Sequence, residues 1–186
     1  MNILRLAFAG ALFLAGASLA QAADFLTIQL KDGPVVIELN AQVAPKHVER
    51  MKALAAAGEY DNVAFHRVIE GFMAQTGDVQ YGDLADGYQA QAAGTGGSSQ
   101  ADLPAEFSNV PFERGTVGMA RSQDPNSANS QFFIMFAPGD FLNGQYTVVG
   151  KVVSGMENVD KIKRGDDANN GSVTDPDRMV KVTVGK

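Results

Sequence analysis

Within one short run the chain places a permanent cation, Arg67, two large apolar side chains, Phe72 and Met73, and an amide, Gln75. The run contains no nucleophile. A guanidinium presents several N–H donors in a fixed fork and stays charged at any ordinary pH. Residues of these types can grip a carbonyl or stabilise a lone pair beside an apolar group, but they cannot carry out covalent attack. Gln75 lies two residues from Met73, so on a strand both side chains leave the same face. His66 is next to Arg67 and points to the opposite face of a regular strand, which makes it mainly structural. Far along the chain, Gln131 and Phe133 repeat the pairing of amide and apolar ring at strand spacing. Gln75 and Gln131 can therefore orient Arg67 and bind peptide carbonyls.

The elements that must position these residues are mostly short strands. Residues 63–69 and 72–76 are β-branched and aromatic runs separated at Gly71. Before them, residues 24–30 and 34–39 form a hairpin around Lys31-Asp32-Gly33, and residues 45–57 form a helix. That helix begins at Pro45, carries Val48, Met51, Leu54 and Ala55 at helical spacing, and is closed by Gly58. Strand character returns at 115–120, 130–136, 147–153 and 179–184, with a short helix over 155–163. On 130–136 the pattern places Gln131, Phe133 and Met135 on one face and Phe132, Ile134 and Phe136 on the other. A strand apolar on both faces buries one in the core and turns the other to a ligand groove. Most strands are joined by turns rather than crossover helices. The expected architecture is thus mainly β, a closed eight-stranded antiparallel barrel capped by two α-helices. Residues 79–109, rich in glycine, alanine, glutamine and serine, are too long for an ordinary connection. They are either a disordered insert or an ordered functional loop.

Composition narrows the function further. The 186 residues include no cysteine, which excludes disulfides, thiol chemistry and cysteine-ligated metals. The net charge of −6 argues against nucleic acid and anionic membrane surfaces as partners. The two histidines, His47 and His66, have no carboxylate cluster at ligand spacing, so no metal and no cofactor are expected. His47, on the first helix, reads as solvated. The acidic segment with Asp166, Asp167, Asp175 and Asp177 lacks a calcium-loop pattern and reads as a solvated turn. Residues 1–22 carry an export signature: Arg5, an apolar run, and the small-x-small pattern Ala20-Gln21-Ala22. The run is short for an anchor. The expected organisation is a signal peptide at 1–22 and one domain at 23–186, periplasmic, with no membrane span once the signal is cleaved.

Phe65-His66-Arg67-Val68-Ile69, Gly71-Phe72-Met73, Gln75 and Gly77-Asp78 together resemble the signature of the cyclophilins, the cyclophilin-type peptidyl-prolyl cis-trans isomerases. Gly94-Thr95-Gly96-Gly97, Gly115-Thr116-Val117-Gly118-Met119-Ala120, Asn129-Ser130-Gln131-Phe132-Phe133-Ile134 and Val149-Gly150-Lys151-Val152 continue the resemblance in order. It covers essentially the whole chain after the export segment and is similar to the bacterial periplasmic branch. Departures are Glu70 where the family usually has proline, Thr76 where it often has glycine, Arg121 for an asparagine, Phe141 for a tryptophan and Tyr146 for a histidine.

The resemblance implies acceleration of X-Pro rotation in exported proteins, with unfolded or extended proline-containing polypeptides as substrates. Arg67 and Gln75 would be catalytic. Phe72, Met73, Phe133 and Leu142 would form the proline pocket. Ala120, Arg121, Gln131, Phe141, Tyr146, Gly94, Thr95 and Gly96 would bind the peptide. Phe141 and Tyr146 imply only weak cyclosporin binding. The alternative reading is a chaperone or docking module that uses the same groove without turnover.

Overall fold

The computed structural model describes residues 24–185; the expected signal peptide lies outside the described residues. The strands are β1 (Asp24–Leu30), β2 (Gly33–Leu39), β3 (Arg67–Ile69), β4 (Met73–Thr76), β5 (Thr116–Met119), β6 (Phe132–Met135), β7 (Val148–Ser154) and β8 (Lys181–Gly185). The helices are α1 (Pro45–Ala56) and α2 (Met156–Val159), with short 3₁₀ turns at Asp140–Leu142 and Asp167–Asn169. All eight strands join one antiparallel sheet in the order β3-β4-β6-β5-β7-β2-β1-β8.

The expected closed barrel is corrected in one respect. β3 and β8 end the sheet and share no ladder, so the sheet is a curled half-barrel. The chain along that seam is an irregular loop in which Asn170 and Asp175 adopt left-handed backbone angles, which a continuous ladder does not accommodate. Separate backbone bonds cross it instead: Phe65 N to Asp177 O at 2.8 Å, Val68 N to Gly171 O at 2.8 Å and Met179 N to Val63 O at 2.9 Å.

The face alternation read from β6 holds. Phe132, Ile134 and Phe136 join the main core with Leu26, Ile28 and Ile37, whereas Phe133 and Met135 join a smaller apolar cluster with Met73, Phe112, Leu142 and Val148. Helix α1 buries Val48, Met51, Leu54 and Ala55 as its spacing requires. Gly58, at φ 77°, ends it: Gly58 N bonds Ala55 O at 3.1 Å and Glu59 N bonds Leu54 O at 3.0 Å, a closure that needs a left-handed residue.

The start of α1 corrects the reading of His47. Its N-cap, Ala44, offers no side-chain acceptor. Glu106, from the long loop, does so: its carboxylate accepts from Lys46 N and His47 N, each at 3.1 Å, and lies 2.6 Å from His47 Nδ1. His47 is therefore fully buried rather than solvated. An unpartnered helix N-terminus attracts a carboxylate, and the ring follows it inward.

The same contact settles the state of residues 79–109. The segment is an ordered loop, tied down at several points. Asp78, fully buried, accepts from the backbone N–H of Gln80, Tyr81, Gly94 and Gly96. Asn129 Oδ1 accepts from Ser98 N at 2.8 Å, and Arg50 donates to Ala101 O at 2.9 Å.

Candidate active site

Strand register builds the site. Arg67 on β3 lies opposite Gln75 on β4, Gln75 opposite Phe133 on β6, and Phe133 opposite Gly118 on β5. Directly opposed residues point to the same face, so cation, amide and aromatic ring form one row across three strands, continued on the fourth by Gly118. Gly118 is part of the design: a Cβ there would fall 2.5 Å from Phe112 and 2.6 Å from Phe133. Its absence lets the two rings stack with centroids 5.7 Å apart.

Above the row lies a groove of about 440 Å³. Phe72, Met73, Phe133 and Leu142 make its apolar part, Arg67 and Gln75 one polar side, and Ala120, Arg121, Phe141 and Tyr146 the remainder. Ten of the fourteen expected site residues thus meet in one groove. Gln131 stands behind Gln75 and joins the site through it. Gly94, Thr95 and Gly96 do not line the groove. Gly96 reaches the site through Gln131 Nε2, which donates to Gly96 O at 2.8 Å, while Thr95 bonds back into its own loop at Ala92 O. A wider depression of about 570 Å³, lined by Asp24, Glu38, Glu113 and Lys151 together with Leu39, Val110 and Val148, shares no residue with this groove.

Arg67 is anchored on two sides. Its Nε donates to Asn170 O and its Nη2 to Asn170 Oδ1, both at 3.1 Å, and its Nη1 donates to Gln75 Oε1 at 3.2 Å. Nη1 also donates a long bond to Met73 Sδ at 3.9 Å, so of the five N–H donors of Arg67 one Nη2 hydrogen is left. Burial lowers its pKa, an effect the Tyr146 hydroxyl partly offsets, yet a guanidinium remains charged at neutral pH. Among the described residues it forms no ion pair, so its charge is not spent on a carboxylate of this chain. A fixed cation beside an apolar pocket, with one free donor and no nucleophile, can bind and polarise but not attack.

The comparisons with known proteins agree with this geometry. A family model described as cyclophilin type peptidyl-prolyl cis-trans isomerase/CLD matches residues 25–184. The chain belongs to the cyclophilin family. It is 59% identical to a probable peptidyl-prolyl cis-trans isomerase of Brucella suis over 191 residues, covering 99% of this chain and 97% of that one. A cyclophilin-type isomerase of Cryptosporidium parvum, solved in the presence of the dipeptide Ala-Pro, is 27% identical with a TM-score of 0.74, covering 87% of this chain and 99% of that chain. A cyclophilin from Hirschia baltica shares the fold at 24% identity and a TM-score of 0.70, over 86% of this chain and 73% of that chain.

The family departures have local partners in this cyclophilin. Thr76 is buried and donates to Ala64 O at 2.9 Å. Glu70 pairs with Arg164, whose guanidinium stacks 4.1 Å from the centre of the Phe136 ring. Phe141 is 65% exposed at the groove edge and rests on Phe72 with ring centres 5.4 Å apart.

Four contributors escaped the sequence reading. Asn170 holds Arg67 from 103 positions away. Asp78 gathers the glycine-rich loop, Phe112 floors the pocket under Phe133, and Gln145 lines the groove. Of these only Asp78 carried a signal, because it closes the Gly77-Asp78 signature. The others act through contacts that spacing does not encode.

Proposed function

We propose that this cyclophilin isomerises X-Pro bonds in extended segments of exported polypeptides, with Arg67 as its catalytic residue. The observation that carries the reading is Arg67 itself: a half-buried guanidinium, held by Asn170 and Gln75, that lines an apolar groove and keeps one Nη2 hydrogen without a partner.

The barrier to rotation about a peptide bond is about 18–20 kcal/mol and arises from C–N double-bond character. In the twisted state that resonance is lost and the proline nitrogen regains its lone pair. A donor from Arg67 to that nitrogen is strengthened only there, so it lowers the barrier without equally stabilising the bound substrate. One such charge-assisted bond contributes about 1.5–3 kcal/mol, roughly tenfold to a hundredfold in rate. The remainder of the acceleration rests on the pocket. Phe133, Phe72, Met73 and Leu142 hold the ring and exclude water, and Gln75, backed by Gln131, offers its amide to a neighbouring carbonyl. The reaction has no covalent step.

Export is supported by the pattern in residues 1–22, and among the described residues no helix is long and apolar enough to cross a membrane. The periplasm supplies unfolded, newly exported chains as substrates. The test compares wild type with Arg67→Ala on a short X-Pro peptide and in proline-limited refolding. The expected result is a fall in kcat/KM of at least tenfold in both. Retained turnover would remove Arg67 from catalysis. Loss of turnover with full protection of an unfolded client would favour the chaperone reading.

A further inference from the structure

Among the described residues, every side chain that lines the groove is apolar, amide-bearing, phenolic or cationic, and none is a carboxylate. In a chain of net charge −6 that is an uneven distribution, because acidic residues outnumber basic ones by 21 to 15. The groove has two cations, Arg67 and Arg121, and among the described residues neither forms an ion pair. Arg67 has its catalytic reason to be there. Arg121 does not.

Arg121 is held as firmly as Arg67. Its guanidinium carbon sits 4.3 Å from the centre of the Tyr146 ring. Its Nη1 donates to Ser122 O at 2.9 Å and Gln123 O at 3.4 Å, and its Nη2 donates to Gln145 O at 2.9 Å. Nε is buried without a partner, which leaves one Nη2 hydrogen for a ligand. All three acceptors are neutral carbonyls, so the charge is oriented but not neutralised. Tyr146 in turn meets Phe133 edge-on with centroids 5.9 Å apart, placing the cation two rings away from the pocket floor. An extended peptide advances about 3.3 Å per residue, so two or three residues from proline span that distance.

We propose that the groove selects X-Pro segments bearing an acidic residue within three positions of proline, with Arg121 as the specificity-determining residue. The proposal rests on the isomerase reading. A carboxylate delivered there meets a preorganised donor and an uncompensated charge; a lysine at the same place meets like charge. A residue serving only to brace the loop against Tyr146 would affect every substrate alike, whereas a specificity residue changes the ranking of substrates.

The experiment uses peptides with one central X-Pro bond in a neutral background. Glu, Gln or Lys is placed singly at each of the three positions on either side, and kcat/KM is measured by NMR exchange. In wild type, at one or more positions on one side, Glu exceeds Lys by about tenfold at low salt, and the ratio collapses at about 0.5 M salt. In Arg121→Gln the ratio falls at least threefold, and in Arg121→Lys it is partly restored. Wild-type turnover without a Glu-over-Lys preference overturns the inference while leaving the isomerase reading intact. A preference unchanged in Arg121→Gln, or indifferent to salt in wild type, also overturns it. Absence of turnover on every peptide overturns both.

Discussion

The side-chain amides of Gln75 and Gln131 meet head to tail, Gln75 Nε2 donating to Gln131 Oε1 at 2.9 Å. Their polarity is set from both ends. Arg67 can only donate, so it fixes Gln75 Oε1 as an acceptor, and Gly96 O can only accept, so it fixes Gln131 Nε2 as a donor. The result is a one-way relay of donors from the guanidinium to the glycine loop, and Asp78 secures the far end by holding the N–H of Gly94 and Gly96.

Breaking the relay should therefore be read in turnover more than in stability. Gln131→Leu removes the donor to Gly96 O and the acceptor for Gln75, leaving Arg67 in place but less constrained. The expected result is a fall in kcat of about five- to tenfold, equivalent to one hydrogen bond of about 1–1.5 kcal/mol. Single-turnover NMR exchange on a short X-Pro peptide measures it. An unchanged kcat would mean that Asn170 and Gln75 position Arg67 without help from Gln131.

The relay also marks what was legible in the sequence. Arg67, Gln75 and Phe133 could be placed together because strand alternation is a local rule, and the register of β3, β4 and β6 then brings them into one row. The two faces of β6 were readable for the same reason. Asn170 and Glu106 were not: each lies in irregular chain, and each meets its partner across 103 and about 60 positions respectively. His47 was misread because an isolated histidine on a helix reads as polar, while its burial depends on a carboxylate arriving from a distant loop. The open seam was unreadable because strand count does not say whether the first and last strands of the sheet meet.

Glu106 is the cap that α1 lacks in its own sequence. Burial pushes the carboxyl pKa up, but bonds from the His47 ring and from the His47 and Lys46 backbone outweigh it, and the net shift is downward from 4.5. A lowered carboxyl contributes stability above its unfolded pKa, lost as pH falls through the folded value. Glu106→Ala should cost about 1–2 kcal/mol at pH 7. The difference from wild type should shrink below about pH 4.5. Urea denaturation across that range provides the check; a deficit that stays constant down to pH 3 would rule out the carboxylate as its source.

His66 works in the same direction, but nearer neutrality. It is 6% exposed, and neither ring nitrogen has a hydrogen-bond partner among the described residues. Burial lowers its pKa below 6.5, with Asp78 and Gln131 close enough to oppose part of the shift. The unfolded chain then binds the proton more readily, so stability is full above about pH 6.5 and declines as pH falls toward the lowered folded value. Gly94 packs against this ring, a built Cβ lying 3.0 Å from His66 Cδ2, so the loss should include the glycine loop. Wild type should lose more urea resistance between pH 7.5 and 5.5 than His66→Leu, and hydrogen exchange at residues 94–97 should quicken in wild type alone. Equal slopes in the two proteins would exclude His66 as the titrating group.

Phe141 sets the last prediction because its exposure is unusual for a large apolar side chain. At 65% exposure it cannot be held there by the core; among the described residues its one aromatic contact is Phe72, itself part of the apolar pocket. The ring therefore presents an apolar edge to whatever fills the groove, without a hydrogen-bond donor. Tryptophan would keep the edge, enlarge it, and add an indole N–H. For a cyclic peptide such as cyclosporin, rich in carbonyl acceptors, the added donor should contribute about 1 kcal/mol and the added area a comparable amount. Phe141→Trp should thus tighten cyclosporin binding by about tenfold or more, while kcat/KM on short X-Pro peptides changes less than threefold because Arg67 and Phe133 are untouched. Isothermal titration with cyclosporin, run beside the peptide assay, separates the two effects. An unchanged affinity would remove Phe141 as a determinant of cyclosporin binding, with Tyr146 and its stacked Arg121 the next positions to vary.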